Sequence, residues 1–158
     1  MKPLTVLPSL PSRPAPEAWH FQHPVRMYWE DTDAGGIVFY GNYLKFMERC
    51  RTEWLSSLGF AQERMRVAGD GMFVVGDTQL RYLKPARLDD VLTVTVVLCE
   101  LGRASMAFVQ EVWRGDTLLT QGRVRIGWVE PFEGGFKSAR IPAKILAILP
   151  TPRQVSEG

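Results

Sequence analysis

Three carboxylates lie within four residues of this 158-residue sequence, at Glu30, Asp31 and Asp33. Two glycines and two aromatic residues come after them, so that the stretch reads EDTDAGGIVFY. Carboxylates clustered in this way can bind a metal ion, act on a substrate as a base or nucleophile, or form a solvated polar turn. The residues before and after the cluster separate these three interpretations.

The metal interpretation has the weakest support. A hard cation needs about six oxygen ligands held in one loop, whereas a glycine pair and an apolar run come after these acids. Both histidines, His20 and His23, precede the first predicted strand, and Cys50 and Cys99 lack the spacing of zinc ligands. No metal site is therefore predicted, and no cofactor is expected, because the sequence contains neither a P-loop nor a Gly-x-Gly-x-x-Gly motif.

The catalytic interpretation depends on the position of the acids relative to a helix. They lie just before a long predicted helix, Tyr40–Gly59, whose first N–H groups and dipole would stabilise negative charge on a substrate oxygen. A carbonyl group bound there would be polarised, and a nearby carboxylate could attack it or activate a water molecule. These are the two parts that hydrolysis of an activated ester requires. The residues alone leave the polar turn, with Thr32 or Asp33 as a distant cap, as an open alternative.

The predicted helix Tyr40–Gly59 is the main hydrophobic helix of the chain. Its apolar residues recur at helical spacing, with charged residues on the opposite side and Gly59 as a natural stop. At 1.5 Å per residue it would be about 30 Å long, comparable to the width of a small domain. The residues predicted to face the core are Tyr43, Met47, Cys50, Trp54 and Leu58, widened by Leu44, Phe46 and Leu55.

Most of the remaining chain is predicted to form strands joined by short turns. Consecutive strands of this kind make an antiparallel sheet, and the one long apolar helix must cover its inner face. The predicted fold class is therefore α+β, a single domain in which a curved antiparallel sheet wraps around one long central helix. The predicted strands are His23–Glu30, Met72–Lys84, Val91–Leu101, Ala104–Trp113 and Thr117–Val129, with a short helix at Ala61–Val67 and a helix or strand at Ile141–Leu149.

Composition excludes several functional classes. The net charge of +2, from 19 basic and 17 acidic side chains, is too balanced to predict nucleic-acid binding. No run of 18 apolar residues occurs, so no membrane span is predicted. The two cysteines have no disulfide-like or ligand-like spacing and are interpreted as reduced thiols, which predicts a cytoplasmic protein.

The ordered domain is predicted to span residues 21–149. Five prolines within the first 16 residues interrupt any apolar core of a signal peptide. Residues 1–20 are therefore interpreted as a Pro-rich flexible extension, and residues 150–158 as a flexible tail.

Two stretches of the sequence resemble a known family. EDTDAGGIVFYGNYLKFMERCRTEWL resembles the signature of hotdog-fold acyl-CoA thioesterases, in the branch of bacterial 4-hydroxybenzoyl-CoA thioesterase and the Tol-Pal-associated YbgC proteins. FVVGDTQLRYLKPARLDDVLTV continues the resemblance with a strand, a Pro-containing turn and an acid pair before the next strand. The resemblance spans Val25 to Val129, and it implies a hotdog domain that hydrolyses an acyl-CoA to a free acid and CoA.

The resemblance also implies roles for particular residues. It makes Asp33, the second acid of the D-x-D pair, the catalytic nucleophile or general base, and Asp31 a neighbour that orders the loop. The backbone N–H at Tyr40 would polarise the thioester carbonyl. The YbgC branch commonly has a histidine there, so the resemblance does not extend to a histidine-assisted mechanism. In the segment GRAS, Arg103 and Ser105 would contact the CoA phosphates. Further basic side chains that could contribute are Lys84, Arg87, Arg123 and Arg125.

The resemblance implies partners as well. The family builds its sites between two subunits, so a homodimer or homotetramer is expected, and the YbgC branch suggests lipid-synthesis or Tol-Pal partners. Two rivals are a non-catalytic acyl-binding scaffold of the same fold and a hotdog dehydratase, which would need a histidine with an acid. Sequence does not identify the acyl group. Aromatic residues that could line its pocket are Trp29, Phe39, Tyr40, Phe46 and Trp54, although spacing favours the core for Phe46 and Trp54.

Overall fold

One antiparallel sheet and one long helix make up most of the domain, in a computed structural model that describes residues 19–154. The strands are β1 (Phe21–Arg26), β2 (Met72–Tyr82), β3 (Val91–Leu101), β4 (Ser105–Arg114), β5 (Thr117–Phe132) and β6 (Gly135–Ser138). The helices are α1 (Asn42–Ser57), α2 (Gln62–Val67) and α3 (Ala143–Leu146). The strands form one sheet in the order β1-β3-β4-β5-β2, and β6 pairs with the end of β5. The predicted α+β architecture is confirmed.

Helix α1 lies on one face of the sheet and supplies a large part of the core. The predicted apolar face is confirmed for Phe46 and Trp54, which are buried. The prediction was wrong for Leu44, which is 45% exposed because it lies at the edge of the face that the sheet covers. Arg51 is buried on α1 instead, and its guanidinium donates a hydrogen bond to Gln110 Oε1 on β4 (2.8 Å).

Both ends of α1 lie inside the predicted limits. Tyr40 and Gly41 form a turn before the helix, and Leu58 ends it. Gly59 comes next with a φ of +90°, a backbone conformation that glycine adopts without the steric cost of a side chain. The helix itself spans Asn42–Ser57 and is two residues shorter at each end than predicted.

Successive side chains of each strand point to opposite faces of the sheet, and the side chains on one face pack on α1. The residues of β3 on this face are Leu92, Val94, Val96 and Leu98. Gly122 on β5 allows helix and sheet to approach closely: a Cβ atom there would lie 2.7 Å from Leu80 Cδ2 and 3.0 Å from Met47 Sδ. A larger residue at this position would have to displace the ends of the Leu80 and Met47 side chains.

The first predicted strand, His23–Glu30, was too long at its C-terminal end. The strand ends at Arg26, and the chain then makes one turn of 3₁₀ helix at Trp29–Asp31. The carboxylate of Asp31 accepts a hydrogen bond from the Tyr28 N–H (2.8 Å), and this contact stabilises the turn. Alternation of apolar and polar residues does not reveal such a local bond.

The C-terminal part contains a hairpin that the pattern did not predict. β5 continues to Phe132 and returns as β6 through Glu133 and Gly134, both of which have positive φ. The segment predicted as a helix or strand at Ile141–Leu149 contains the short helix α3. No helix in the described part of the chain is long and apolar enough to cross a membrane.

The two ends of the sheet have different neighbours. At the end where β3 begins, the Val91 end, the loop between β2 and β3 contacts the start of α1 through Ala86 and Tyr43. At the end where β3 finishes, the Leu101 end, lies the tight turn into β4. The eleven residues of β3 are ten spacings of about 3.3 Å, so the two ends are about 33 Å apart.

Near its first and last residues, the described part of the chain forms hydrogen bonds with strand β3. His20 Nδ1 accepts a hydrogen bond from the Leu98 N–H (2.9 Å), and the Arg153 N–H donates to the Leu98 carbonyl (2.8 Å). Burial, and then the charge of Arg153, lower the pKa of His20, which keeps the imidazole neutral and able to accept. Residues 1–18 and 155–158, which hold most of the predicted extension and part of the predicted tail, lie outside the described residues.

Candidate active site

The acid cluster forms a small hairpin just before α1. The Asp33 N–H donates to the Ile37 carbonyl and the Phe39 N–H donates to the Asp31 carbonyl, both at 2.9 Å. Asp33 therefore begins the turn at the tip, which the Gly36 N–H closes by donating to the Asp33 carbonyl (3.1 Å). Gly36 has a φ of +77°, which explains why a glycine occupies this position.

The two aspartates of this hairpin have different environments. The Asp31 carboxylate accepts the Tyr28 N–H, and its carbonyl accepts Nδ2 of Asn42, the first residue of α1 (2.9 Å). Asp31 thus fixes the loop to the helix. The Asp33 side chain is exposed, and its Oδ1 accepts the Gly35 N–H (2.8 Å). Its Oδ2 has no hydrogen-bond partner in the described part of the chain, so it can contact water or a substrate.

The start of α1 offers an unpaired backbone donor. The N–H of Tyr40 makes no hydrogen bond with any residue between positions 19 and 154, whereas the Asn42 N–H is bound to the Phe39 carbonyl (3.0 Å). This donor lies at the positive end of the helix dipole. A substrate oxygen that gains negative charge would be stabilised there.

The loop that joins β2 to β3 holds the hairpin in place. The Val38 N–H donates to the Ala86 carbonyl (2.8 Å), and the Ala86 N–H donates to the hydroxyl of Tyr43 on α1 (3.1 Å). Farther along this loop, the Asp90 carboxylate accepts a charge-assisted hydrogen bond from Arg114 on β4 (2.9 Å). Hairpin, helix and sheet therefore form one connected support around Asp33 and Tyr40.

A cavity of about 270 Å³ opens beside Tyr40. Its lining is mainly apolar and aromatic, and Lys84 is the charged residue in it. An apolar, partly enclosed wall of this kind suits a hydrocarbon or aromatic group. The main lining residues are Ile37, Val38, Tyr40, Tyr43, Tyr82 and Leu83.

The five aromatic residues proposed for an acyl pocket divide into two groups. Phe46 and Trp54 are buried in the core, as their helical spacing predicted. Trp29, Phe39 and Tyr40 are exposed, and of these Tyr40 lines the cavity. The sequence did not predict that Tyr43 and Tyr82 also line the cavity. Its pattern placed Tyr43 in the helix core and Tyr82 at the end of a strand.

Comparison with known proteins identifies the family. A family model described as the thioesterase superfamily matches residues 35–121, which is more than half of the chain. The chain belongs to the thioesterase superfamily. The predicted enzyme class, a thioester hydrolase, is thereby confirmed.

Individual thioesterases and solved structures agree with this assignment. The acyl-CoA thioesterase YbgC of Haemophilus influenzae is 37% identical over 127 residues, which cover 80% of this chain and 92% of that protein. A hypothetical protein of Aquifex aeolicus has a TM-score of 0.76 at 32% identity, over 82% of this chain and 99% of that one. The 4-hydroxybenzoyl-CoA thioesterase of Pseudomonas sp. strain CBS-3 has a TM-score of 0.72 at 19% identity, over 82% and 99% of the two chains. The resemblance to this branch and the hotdog fold are confirmed.

In this thioesterase, the residues predicted to bind CoA lie far from the acid hairpin. Arg103 and Ser105 belong to the Leu101 end of the sheet, about 33 Å from the Val91 end. Arg103 is exposed and makes no ion pair in the described part of the chain, while Ser105 accepts a long hydrogen bond from Arg125 (3.4 Å). A cavity of about 460 Å³ opens beside Ser105 and Arg125. One protomer does not bring these residues together with Asp33.

The other basic candidates also divide between the two ends of the sheet. Lys84 and Arg87 are exposed on the loop at the Val91 end. Arg123 and Arg125, on the face away from α1, are buried rather than solvent-exposed, and both form ion pairs with Glu100. No group of histidine, cysteine, aspartate or glutamate residues within 19–154 could hold a metal ion.

Proposed function

We propose that the protein is an acyl-CoA thioesterase, which hydrolyses an acyl-CoA to a free carboxylic acid and CoA. One arrangement at the start of α1 carries this proposal: the exposed Asp33 carboxylate, the unpaired Tyr40 N–H and the aromatic-lined cavity beside it. The YbgC relative, which is named an acyl-CoA thioesterase, supports the same substrate class.

Asp33 fits two versions of the reaction. As a general base, it takes a proton from a water molecule whose oxygen attacks the thioester carbonyl carbon. As a nucleophile, its own carboxylate oxygen attacks and forms an anhydride, which water then hydrolyses. In both versions the Tyr40 N–H stabilises the oxyanion, the C–S bond breaks, and the CoA sulfur leaves as a thiolate that takes up a proton.

The cavity beside Tyr40 is the proposed acyl site. Ile37, Val38 and Leu83 give it an apolar wall, so burial of the acyl group would contribute to binding. Lys84, in the same lining, is the group that would meet the negatively charged CoA. The carbonyl carbon of the substrate would then lie between this cavity and the hairpin tip.

A complete site requires two subunits. Strand β2 lies at the edge of the sheet, where it pairs with β5 and leaves its other edge open. If two copies pair antiparallel through β2 about a twofold axis, the Leu101 end of one sheet comes beside the Val91 end of the other. The CoA phosphates would then meet Arg103 of the partner subunit and Ser105 of the partner subunit.

We expect a dimer or larger assembly in solution. Light scattering at micromolar concentration should report at least twice the chain mass of 17.9 kDa. Mixing Asp33→Asn with Arg103→Glu, each of low activity alone, should restore activity, because a mixed dimer contains one site with neither change. A fully active monomer, or mixtures that stay as inactive as their components, would contradict the shared site.

The direct test of the function is hydrolysis of a panel of acyl-CoAs. The panel runs from acetyl-CoA to palmitoyl-CoA and includes benzoyl-CoA and phenylacetyl-CoA, with release of the free thiol as the measurement. We expect turnover of at least one member, and the same acyl groups on acyl carrier protein would identify the thiol carrier. Binding of acyl-CoA without turnover of any member would instead support the non-catalytic scaffold.

Location and protein partners stay predictions. Cys50 and Cys99 are free thiols, in agreement with the reducing cytoplasm predicted from the sequence. The lipid-synthesis or Tol-Pal partners suggested by the YbgC branch would be tested by co-purification with the tagged full chain.

A further inference from the structure

Tyr82, the last residue of β2, connects the cavity with the start of α1. Its hydroxyl donates a hydrogen bond to the Tyr40 carbonyl (3.1 Å), and the two rings meet edge-on with their centroids 6.1 Å apart. Its ring also meets that of Tyr43 edge-on, at 5.6 Å. All three tyrosines line the cavity. The mechanism above uses the backbone of Tyr40 but gives no role to Tyr82.

The hydrogen bond from Tyr82 acts on the residue that supplies the oxyanion donor. Two rigid peptide planes meet at Tyr40. The plane that contains the Tyr40 N–H is held through the Phe39 carbonyl, which accepts the Asn42 N–H (3.0 Å). The next plane, which leads to Gly41, is held through the Tyr40 carbonyl by Tyr82. Loss of the second bond removes the hydrogen bond that Tyr82 makes to this plane, which can then rotate more freely.

This bond can respond to the group that occupies the cavity. Tyr82 is 46% exposed, so its ring is not locked by packing in the protomer. A single neutral hydrogen bond at such an exposed position has a small net stability. An acyl group that fills the cavity would pack against the ring and restrict it to the rotamer that reaches Tyr40. A short acyl group would leave the ring free to turn away.

We propose that Tyr82 is a positioning and specificity-determining residue, which couples the size of the bound acyl group to the orientation of the Tyr40 N–H. The inference rests on the proposed function, because it concerns the acyl and oxyanion sites of that reaction. It means that a larger acyl group raises kcat, and not only affinity, until the cavity is full.

The test is Tyr82→Phe, which removes one oxygen atom and keeps the ring. With acyl groups that fill the cavity, kcat should fall about 3- to 10-fold, while KM changes less because the wall remains. With acetyl-CoA, kcat should stay within about twofold of the value for the unmodified protein, because the Tyr82 ring is already free to turn away from Tyr40 when the acyl group is short. Tyr28→Phe is the matched control, since Tyr28 is exposed on the neighbouring turn and does not line the cavity.

Two results would overturn the inference: an unchanged kcat of Tyr82→Phe with every acyl group, or a fall of equal size with acetyl-CoA and with the larger groups. Circular dichroism and a thermal melt confirm that the variant is folded. Asp33→Asn, measured on the same substrates, reports separately on the catalytic carboxylate. If Asp33→Asn is inactive and Tyr82→Phe is normal, only the coupling is wrong; if the unmodified protein turns over no acyl-CoA, the proposed function is wrong as well.

Discussion

Replacement of Asp33 by asparagine is expected to lower the kcat for acyl-CoA hydrolysis at least about 10²-fold, while the protein folds normally. The asparagine Oδ1 can still accept the Gly35 N–H that Asp33 Oδ1 accepts at 2.8 Å, so the turn at the hairpin tip survives. The amide, however, neither takes a proton from water nor attacks a carbonyl carbon. KM should change less, because CoA is bound elsewhere. Thiol release by the purified variant, with circular dichroism as a folding check, gives the answer.

Asp31→Asn is the matched control on the same hairpin. Its side chain can still accept the Tyr28 N–H, and the Asp31 carbonyl that binds Asn42 is unchanged. A loss of no more than about threefold is expected, the size of one weakened hydrogen bond. An inactive Asp31→Asn beside a normal Asp33→Asn would exchange the two roles. If neither change lowers kcat, the carboxylate mechanism fails and another group must activate the attacking water.

The proposed catalytic part of the site could be predicted from the sequence because it is local. Asp33 and Tyr40 lie in one short stretch with strong turn and helix signals, and the hairpin bonds form within that stretch. Tyr82 bonds to Tyr40 across 42 positions, and no local pattern marks such a pair. Arg103 lies in the predicted turn between β3 and β4, but whether it meets Asp33 depends on strand direction and on the proposed second subunit.

The fold could be predicted from periodicity, and the errors have local causes. Alternating strands and a helix with one apolar face predicted the sheet and α1, because burial of apolar surface decides both. The first strand is shorter than predicted because the Asp31 side chain accepts a hydrogen bond from the Tyr28 N–H and forms a turn. The last hairpin was missed because its turn depends on two residues with positive φ. Arg51 was missed because its partner, Gln110, lies 59 positions away on another element.

Gln110 on β4 is the second position at which a single change should have a large effect. Its buried side chain accepts a hydrogen bond from Arg51 Nη1 (2.8 Å) and donates to the carbonyls of Met47 (3.0 Å) and Thr95 (3.3 Å). It therefore connects the charge and the backbone of α1 with the sheet. Burial lowers the pKa of Arg51, yet a guanidinium keeps its charge at neutral pH.

Gln110→Leu should lower the free energy of unfolding by about 3 kcal/mol. Leucine has a similar volume, so the core stays filled, but all three hydrogen bonds are lost and the Arg51 charge stays buried without its acceptor. For a domain of this size the melting temperature should fall by about 6–12 °C. The measurement is a thermal or urea transition at one fixed protein concentration, since assembly adds to the measured stability.

The double variant Arg51→Met with Gln110→Leu isolates the buried charge from the packing. Without either polar partner the space between α1 and β4 becomes apolar, so most of the lost stability should return. If the double variant is less stable than Gln110→Leu alone, the stability lost in Gln110→Leu comes from the packing of β4 and not from the buried charge. Arg51 lies about 14 Å along α1 from its first residue, so the double variant should keep kcat near that of the unmodified protein. Stability of the helix and chemistry at its first turn would then be separate properties.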